Sequence, residues 1–209
     1  MRNRARNAVG GSIVLLLLLM LGIGVLGQSY KVAVFVQAAA PVPASDLEIL
    51  KNYAAQRCSI VTGAQVATQG ELLYAQRLTG VYVGNSITVE GMRHLAQTLG
   101  VDHIIILRLV RWESKISYKP ERSLLLLGAT SFLDASLQIL ISPLGLMLGI
   151  EKEATVGVFA SVFSPQGDVK FTTTATHRDH PLFSLLTADP VEAAKGAVDS
   201  TLYQMAVAL

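Results

Sequence analysis

Two histidines and a carboxylate fall within four positions at His177-Arg178-Asp179-His180, the only clustering of metal-type ligands in the chain. Imidazole nitrogens and a carboxylate oxygen are the donors of a zinc-type site. At the end of a strand, however, His177 and His180 point to opposite faces unless the chain turns, and no second acidic or histidine group lies near in sequence. The cluster therefore reads as a solvated strand end, with a metal-dependent enzyme using His177, Asp179 and His180 as the alternative. Glu151 and Glu153 share one face of a strand end, but nothing apolar around them would raise a carboxyl pKa, so they read as solvating residues. His94, beside Arg93, reads as the outer face of a helix, and His103 as a hydrogen-bonded boundary residue before a strand. No Gly-x-Ser-x-Gly elbow, phosphate loop or zincin pattern occurs, and Gly84-Asn85-Ser86 lacks the flanks of a nucleophile turn. No catalytic residue, cofactor-binding residue or cofactor is assigned, and the chain reads as a non-enzyme.

Compartment comes from the other end of the chain. Arg2, Arg4 and Arg6, with no acid among them, precede an apolar run over residues 13–26 and the small-residue end Val25-Leu26-Gly27. This is the pattern of an export signal cleaved after Gly27, which leaves Gln28 as the first mature residue. The run is short for a bilayer span, which takes about 20 apolar residues, although an uncleaved signal would act as an anchor. Removing residues 1–27 changes a balance of 17 basic and 15 acidic residues to 14 and 15. The mature chain is nearly neutral and has no basic cluster for nucleic acid. Residues 28–209 suit a single domain with its own core. Cys58 is the lone cysteine, so no intrachain disulfide is possible. A lipobox would put cysteine directly after the apolar run, where Gln28 stands, and Cys58 reads as a buried small hydrophobe near a helix end.

The elements follow from periodicity. Residues 31–36 (KVAVFV) suit a first strand, and Ser45-Asp46-Leu47-Glu48 reads as a capping box opening a helix whose inner face carries Leu47, Leu50, Ala54 and Cys58, with Lys51 and Arg57 toward water. Thr68-Gln69-Gly70-Glu71 is a second capping box, for a short helix to Arg77, and Tyr82-Val83 reads as a brief strand. Met92, Leu95, Ala96 and Leu99 share a helical face over residues 88–99, closed by Gly100. Residues 103–112 (HIIILRLVRW) read as a central strand covered on both faces. Residues 154–163 and 169–177 form an antiparallel hairpin about Ser164-Pro165-Gln166-Gly167-Asp168. In its second strand Val169, Phe171, Thr173, Ala175 and His177 oppose Lys170, Thr172, Thr174, Thr176 and Arg178. Val191, Ala194, Val198, Leu202, Met205 and Leu209 mark a closing helix with Glu192, Lys195 and Asp199 outward. The fold class is α/β (α+β): a mixed sheet with a central strand and a C-terminal antiparallel hairpin, helices packed on the sheet, and an extra apolar helical insertion.

Leu95-Ala96-Gln97-Thr98-Leu99-Gly100-Val101-Asp102-His103-Ile104-Ile105-Ile106 resembles the "A-x-x-L-G-V/A-D-x-V/I-I/V" signature of envelope proteins related to the curli-secretion lipoprotein, the penicillin-binding-protein activator lipoproteins and the amino-terminal domain of TolB. The hairpin over residues 154–178 is similar to their strand pair, with Gly167 and Val169 in matching places. The resemblance covers residues 30–112 and 154–208. It implies a non-enzymatic domain of the cell envelope that recognises other proteins, often as an oligomer, and it carries no catalytic residue. The missing lipobox and an apolar block before the hairpin depart from the family pattern.

That block, residues 123–150, carries a single charge, Asp134. Ser131, Asp134, Gln138 and Ser142 step by three and four, which draws a narrow polar stripe on an otherwise apolar helix ended by Pro143. One reading buries this helix on the domain. The functional reading makes it a partner-facing or membrane-surface element, with Leu124, Leu126, Leu127, Phe132, Leu133, Leu137, Leu140 and Leu144 as contact residues. One spanning helix would put the hairpin across the membrane from its partner strand, and two would need about 40 residues. Two β-strands of about 9–11 residues would fit, as in the inserted hairpins of the curli-secretion relatives, but strict alternation fails at residues 124–127 and 139–141. The sequence thus points to an exported protein of the periplasm or cell surface that works through an envelope protein partner, self-association or membrane-surface contact.

Overall fold

The computed structural model describes residues 30–84, 87–118, 150–179 and 188–207. The elements, in chain order, are β1 (Lys31–Ala38), α1 (Ala44–Thr62), β2 (Gln65–Val66), α2 (Gln69–Thr79), α3 (Val89–Leu99), β3 (His103–Tyr118), β4 (Ile150–Phe163), β5 (Val169–Asp179) and α4 (Pro190–Ala206). An unbroken run of five apolar residues in β1, from Val32 to Val36, can be stable only if both faces of the strand are covered, and all five are buried. The same holds for Ile104, Ile105, Ile106 and Leu107 of β3. These two strands pair in parallel, Ala33 beside Ile104 and Phe35 beside Ile106.

The five-stranded sheet has the order β2-β1-β3-β4-β5, parallel from β2 to β3 and antiparallel from β3 to β5. It is a mixed α/β arrangement with β3 at the centre and four helices against it among the described residues. On one face Ala33, Phe35, Ile104 and Ile106 pack with Leu72 and Ala75 of α2 and Met92, Leu95, Ala96 and Leu99 of α3. On the other, α1 lies along β1, and α4 lies on β4 and β5 and touches α1. Leu50, Ala54 and Cys58 of α1 and Ala194, Ala197, Val198 and Leu202 of α4 are fully buried. At about 25 cal/mol per Å² of apolar area, each large aliphatic side chain so buried contributes roughly 1.5–3 kcal/mol.

Local chemistry sets the ends of the helices. Thr68 accepts from the Glu71 N–H at 3.2 Å while the Glu71 carboxylate accepts from the Thr68 N–H at 2.7 Å, the expected capping box. Thr88 caps α3, and Gly100 closes it at φ 59°. The expected box at Ser45 is absent. Its helix begins at Ala44, where the Pro43 carbonyl accepts from Asp46 and Leu47, and the Ser45 hydroxyl turns to the Asp46 carboxylate. Tyr82 and Val83 are not a strand, and the strand beside β1 is instead β2, two residues long and without a hydrophobic pattern to announce it. Arg57 and Asp199 do not face water as expected. Where α1 meets α4 they form a two-pronged ion pair at 2.8 and 3.0 Å. A helical wheel for one helix cannot show that the neighbour's polar edge lies opposite.

Candidate interaction site

β3 keeps its pairing with β1 only as far as Leu109, which faces Ala38, yet it runs on to Tyr118. At about 3.3 Å per residue this continuation reaches roughly 30 Å past the end of β1. Among the described residues β4 follows it the whole way, with Tyr118 opposite Ile150, and the described part of β5 reaches Asp179, opposite Ala154. A bulge between Leu109 and Arg111 marks where the ribbon leaves the body of the sheet, and a bulge adds twist at such a point. Gly157 opposes Arg111 at the bulge, where a Cβ would come within 3.2 Å of the Arg111 Cβ and 3.4 Å of the Val110 Cγ2. The ribbon mixes exposed apolar side chains, Ile116 at 70% and Tyr118 at 53%, with charged ones. Arg111 binds Glu113 at 2.6 Å and Arg178 approaches Glu153 at 3.5 Å. The hydrogen bond from Arg111 holds the Glu113 carboxyl below its usual range and raises the guanidinium in return.

The ribbon delivers the chain to the apolar block. The contact residues expected from sequence, Leu124, Leu126, Leu127, Phe132, Leu133, Leu137, Leu140 and Leu144, lie outside the described residues, as do residues 1–27 with the export signal. Tyr118, the last described residue before the block, and Ile150, the residue that ends it, are Cα partners.

The metal-type cluster is brought together only in part. His177 lies on the α4 side of β5, its ring against the backbone of Gly196, where an added Cβ would sit 2.5 Å from His177 Cδ2. Asp179 accepts from the Asp189 N–H at 2.8 Å, and Asp189 in turn caps α4 through the Val191 N–H. Both side chains thus fasten β5 to α4, and His180 lies outside the described residues. No group of three His, Cys, Asp or Glu side chains among the described residues is placed to hold a metal. His103 Nδ1 lies 3.2 Å from the Phe163 carbonyl, and His94 is exposed on α3, both as expected. Cys58 is wholly buried, and desolvation pushes its thiol up to about 11.

A cavity of about 180 Å³ opens beside β1, between α1 and α2, lined by Phe35, Leu72, Leu73, Val83, Gln37 and Lys51 among others. Both polar atoms of the Gln37 amide are buried without a partner among the described residues, as is Nε of Arg108, its neighbour across the β1–β3 pair. A Gln at the end of an apolar strand gives no sign that its amide will be enclosed.

No protein-family model matches the chain, and no curated protein sequence matches it. Solved structures do. Protein CT253 from Chlamydia trachomatis superposes with a TM-score of 0.50 at 7% identity, covering 86% of this chain and 97% of that one. Lipoprotein GNA1162 from Neisseria meningitidis gives 0.48 at 12% identity, with 85% and 98% covered. The LpoB C-terminal domain from Salmonella enterica gives 0.39 at 8% identity, with 71% and 82% covered. At 7% identity the superposition on CT253 is a likeness of fold alone. Among the described residues no helix is long and apolar enough to cross a membrane, which says nothing of crossing by strands.

Proposed function

We propose that this chain is an exported, non-enzymatic protein of the cell envelope that works by association, with other proteins or with copies of itself, and that residues 123–150 are its assembly or membrane-docking element. The observation that carries the reading is the pairing of Tyr118 with Ile150, the last described pair of a ribbon that runs on past the end of β1. A segment buried on the domain would need no such extension, whereas a segment presented to a partner is served by one. Exposed Ile116 and Tyr118 continue the apolar character of the block down the ribbon. The export pattern of residues 1–27 and the lipoprotein-like fold support the compartment.

The test is sizing by light scattering, with and without phospholipid vesicles, of residues 28–209 beside a version carrying a short Gly/Ser linker in place of 123–150. The reading expects the parent to self-associate or bind vesicles and the linker version to be a folded monomer that does neither. A parent that is monomeric and vesicle-free, with a linker version that unfolds, would make the block part of the core and end the proposal.

A further inference from the structure

Beyond β2, the outer edge of β1 has no neighbouring strand among the described residues. Successive residues of a strand aim their backbone groups to opposite sides. The Lys31 carbonyl accepts from Asp102 and the Leu109 carbonyl accepts from Ala39, so the odd-numbered residues of β1 face β3. The Val32 carbonyl accepts from Ala67 on the other side, so the even-numbered residues face β2. But β2 pairs only with Lys31 and Val32 and then ends. The N–H and C=O groups of Val34 and Val36 therefore point into the cavity between α1 and α2, where no strand among the described residues meets them.

We propose that this edge and its cavity form a groove that takes an extended peptide segment of a partner protein as an added strand, with one apolar side chain of that segment seated against Phe35 and Val83. Three features select a peptide. The edge supplies alternating donors and acceptors at strand spacing, which is what β-augmentation uses. The enclosed Gln37 amide offers one donor and one acceptor group, the complement of a peptide unit, and the penalty of leaving such an amide unpaired is relieved by a bound peptide group. The flanking helices leave a cavity of about 180 Å³, room for a side chain and its backbone but not for the edge of a second folded sheet. Lys51 is the one charged side chain lining it among the described residues, so the segment is neutral or acidic. The groove lies on the β1 edge of the sheet, separate from the ribbon, and its occupancy does not depend on the role of residues 123–150.

Backbone amide hydrogen exchange on the full-length chain tests the geometry first. In the free protein Val34 and Val36 should exchange faster than Ala33 and Phe35 by about tenfold or more, because only the latter pair is bonded to β3. Equal protection would mean that the edge is already covered and would overturn the proposal. The probe is a library of blocked hexapeptides alternating Val and Glu, varied at one central apolar position. At least one member should slow exchange at Val34 and Val36 by about tenfold, and methylation of its alternate amide nitrogens should abolish the effect. Leu73→Glu, at an exposed site on the rim, should abolish binding without unfolding α2. A library without a binder, or binding unchanged by Leu73→Glu and by methylation, would overturn the groove. Leu73→Glu should leave the light-scattering size of the protein unchanged, so failure here and failure of the assembly reading are separable.

Discussion

Gly167 is where the hairpin is fastened to the helical layer, and replacing it by alanine measures how firmly. The turn is tied within itself: Ser164 N–H donates to the Asp168 carbonyl at 2.8 Å and Gly167 N–H to the Ser164 carbonyl at 2.9 Å. It is also pressed onto α3, with Arg93 Nε donating to the Gln166 carbonyl at 3.3 Å. Gly167 has φ +89°, and a Cβ there would lie 2.3 Å from the carbonyl oxygen of Val89 and 3.0 Å from its Cγ1. Val89 is the first residue of α3, so its carbonyl is held by the helix and the turn must withdraw. Gly80 is the control, since its φ is +69° but nothing lies within 4 Å of an added Cβ. Gly80→Ala should cost only the left-handed conformation, about 1–2 kcal/mol. Gly167→Ala adds overpacking of about 1–3 kcal/mol, for a total of roughly 2–5 kcal/mol. Urea unfolding followed by the fluorescence of the lone Trp112 reads both values. If the two substitutions cost the same, the turn is not seated on α3 and the reasoning fails.

Three further outcomes follow from side chains away from that turn. A double-mutant cycle on Arg57 and Asp199, each replaced by Ala, should give a small favourable coupling that shrinks in salt, since both keep access to solvent; zero coupling at low salt would deny the α1–α4 clasp. The Glu71 carboxyl is held down to about 2 by the Thr68 N–H, Lys31 and the Thr68 hydroxyl. Its folded pKa is depressed, so its contribution is complete above about pH 4.5 and lost as pH falls toward 2. The stability difference between the parent and Glu71→Gln should close over that window, and a difference independent of pH would contradict the assignment. Cys58, buried with its thiol pushed up to about 11, should resist iodoacetamide at pH 8 until urea unfolds the chain; stoichiometric labelling of the folded protein would refute its burial.

What could be read from sequence was what a single element encodes by itself. Met92, Leu95, Ala96 and Leu99 repeat at helical spacing, and all four are buried on α3. Thr68 and Glu71 carry their cap within one turn, and the alternation of β5 puts Phe171, Thr173 and Ala175 toward α4. What escaped needs two elements at once. Arg57 and Asp199 are far apart in the chain and each looks like an outward charge on its own helix. The enclosure of Gln37 depends on where β2 stops, and a two-residue strand has no periodicity. Pro43 displaced the Ser45 box because a proline carbonyl can open a helix without any side-chain cap. The metal-type cluster was visible as residue types, but their use in fastening β5 to Gly196 and Asp189 is a matter of packing.

The ribbon narrows what residues 119–149 can do in a way that composition cannot. A helix crossing a bilayer once separates its ends by about 30 Å, one on each side. Tyr118 and Ile150 are instead paired neighbours on adjacent strands, so the chain leaves and returns at one place. Two helical crossings would restore that, but they take about 40 residues, more than lie between positions 118 and 150. The remaining membrane geometries keep both ends on one side: an element lying on the surface, or a pair of strands of about 9–11 residues continuing the β3–β4 ladder. The ladder favours strands by supplying their register, whereas the runs at residues 124–127 and 139–141 are apolar on consecutive positions and give a strand no polar face. A surface or partner contact asks for one apolar face, and a helix read from the sequence with Ser131, Asp134, Gln138 and Ser142 as its polar stripe would leave that face to Leu133, Leu137 and Leu140.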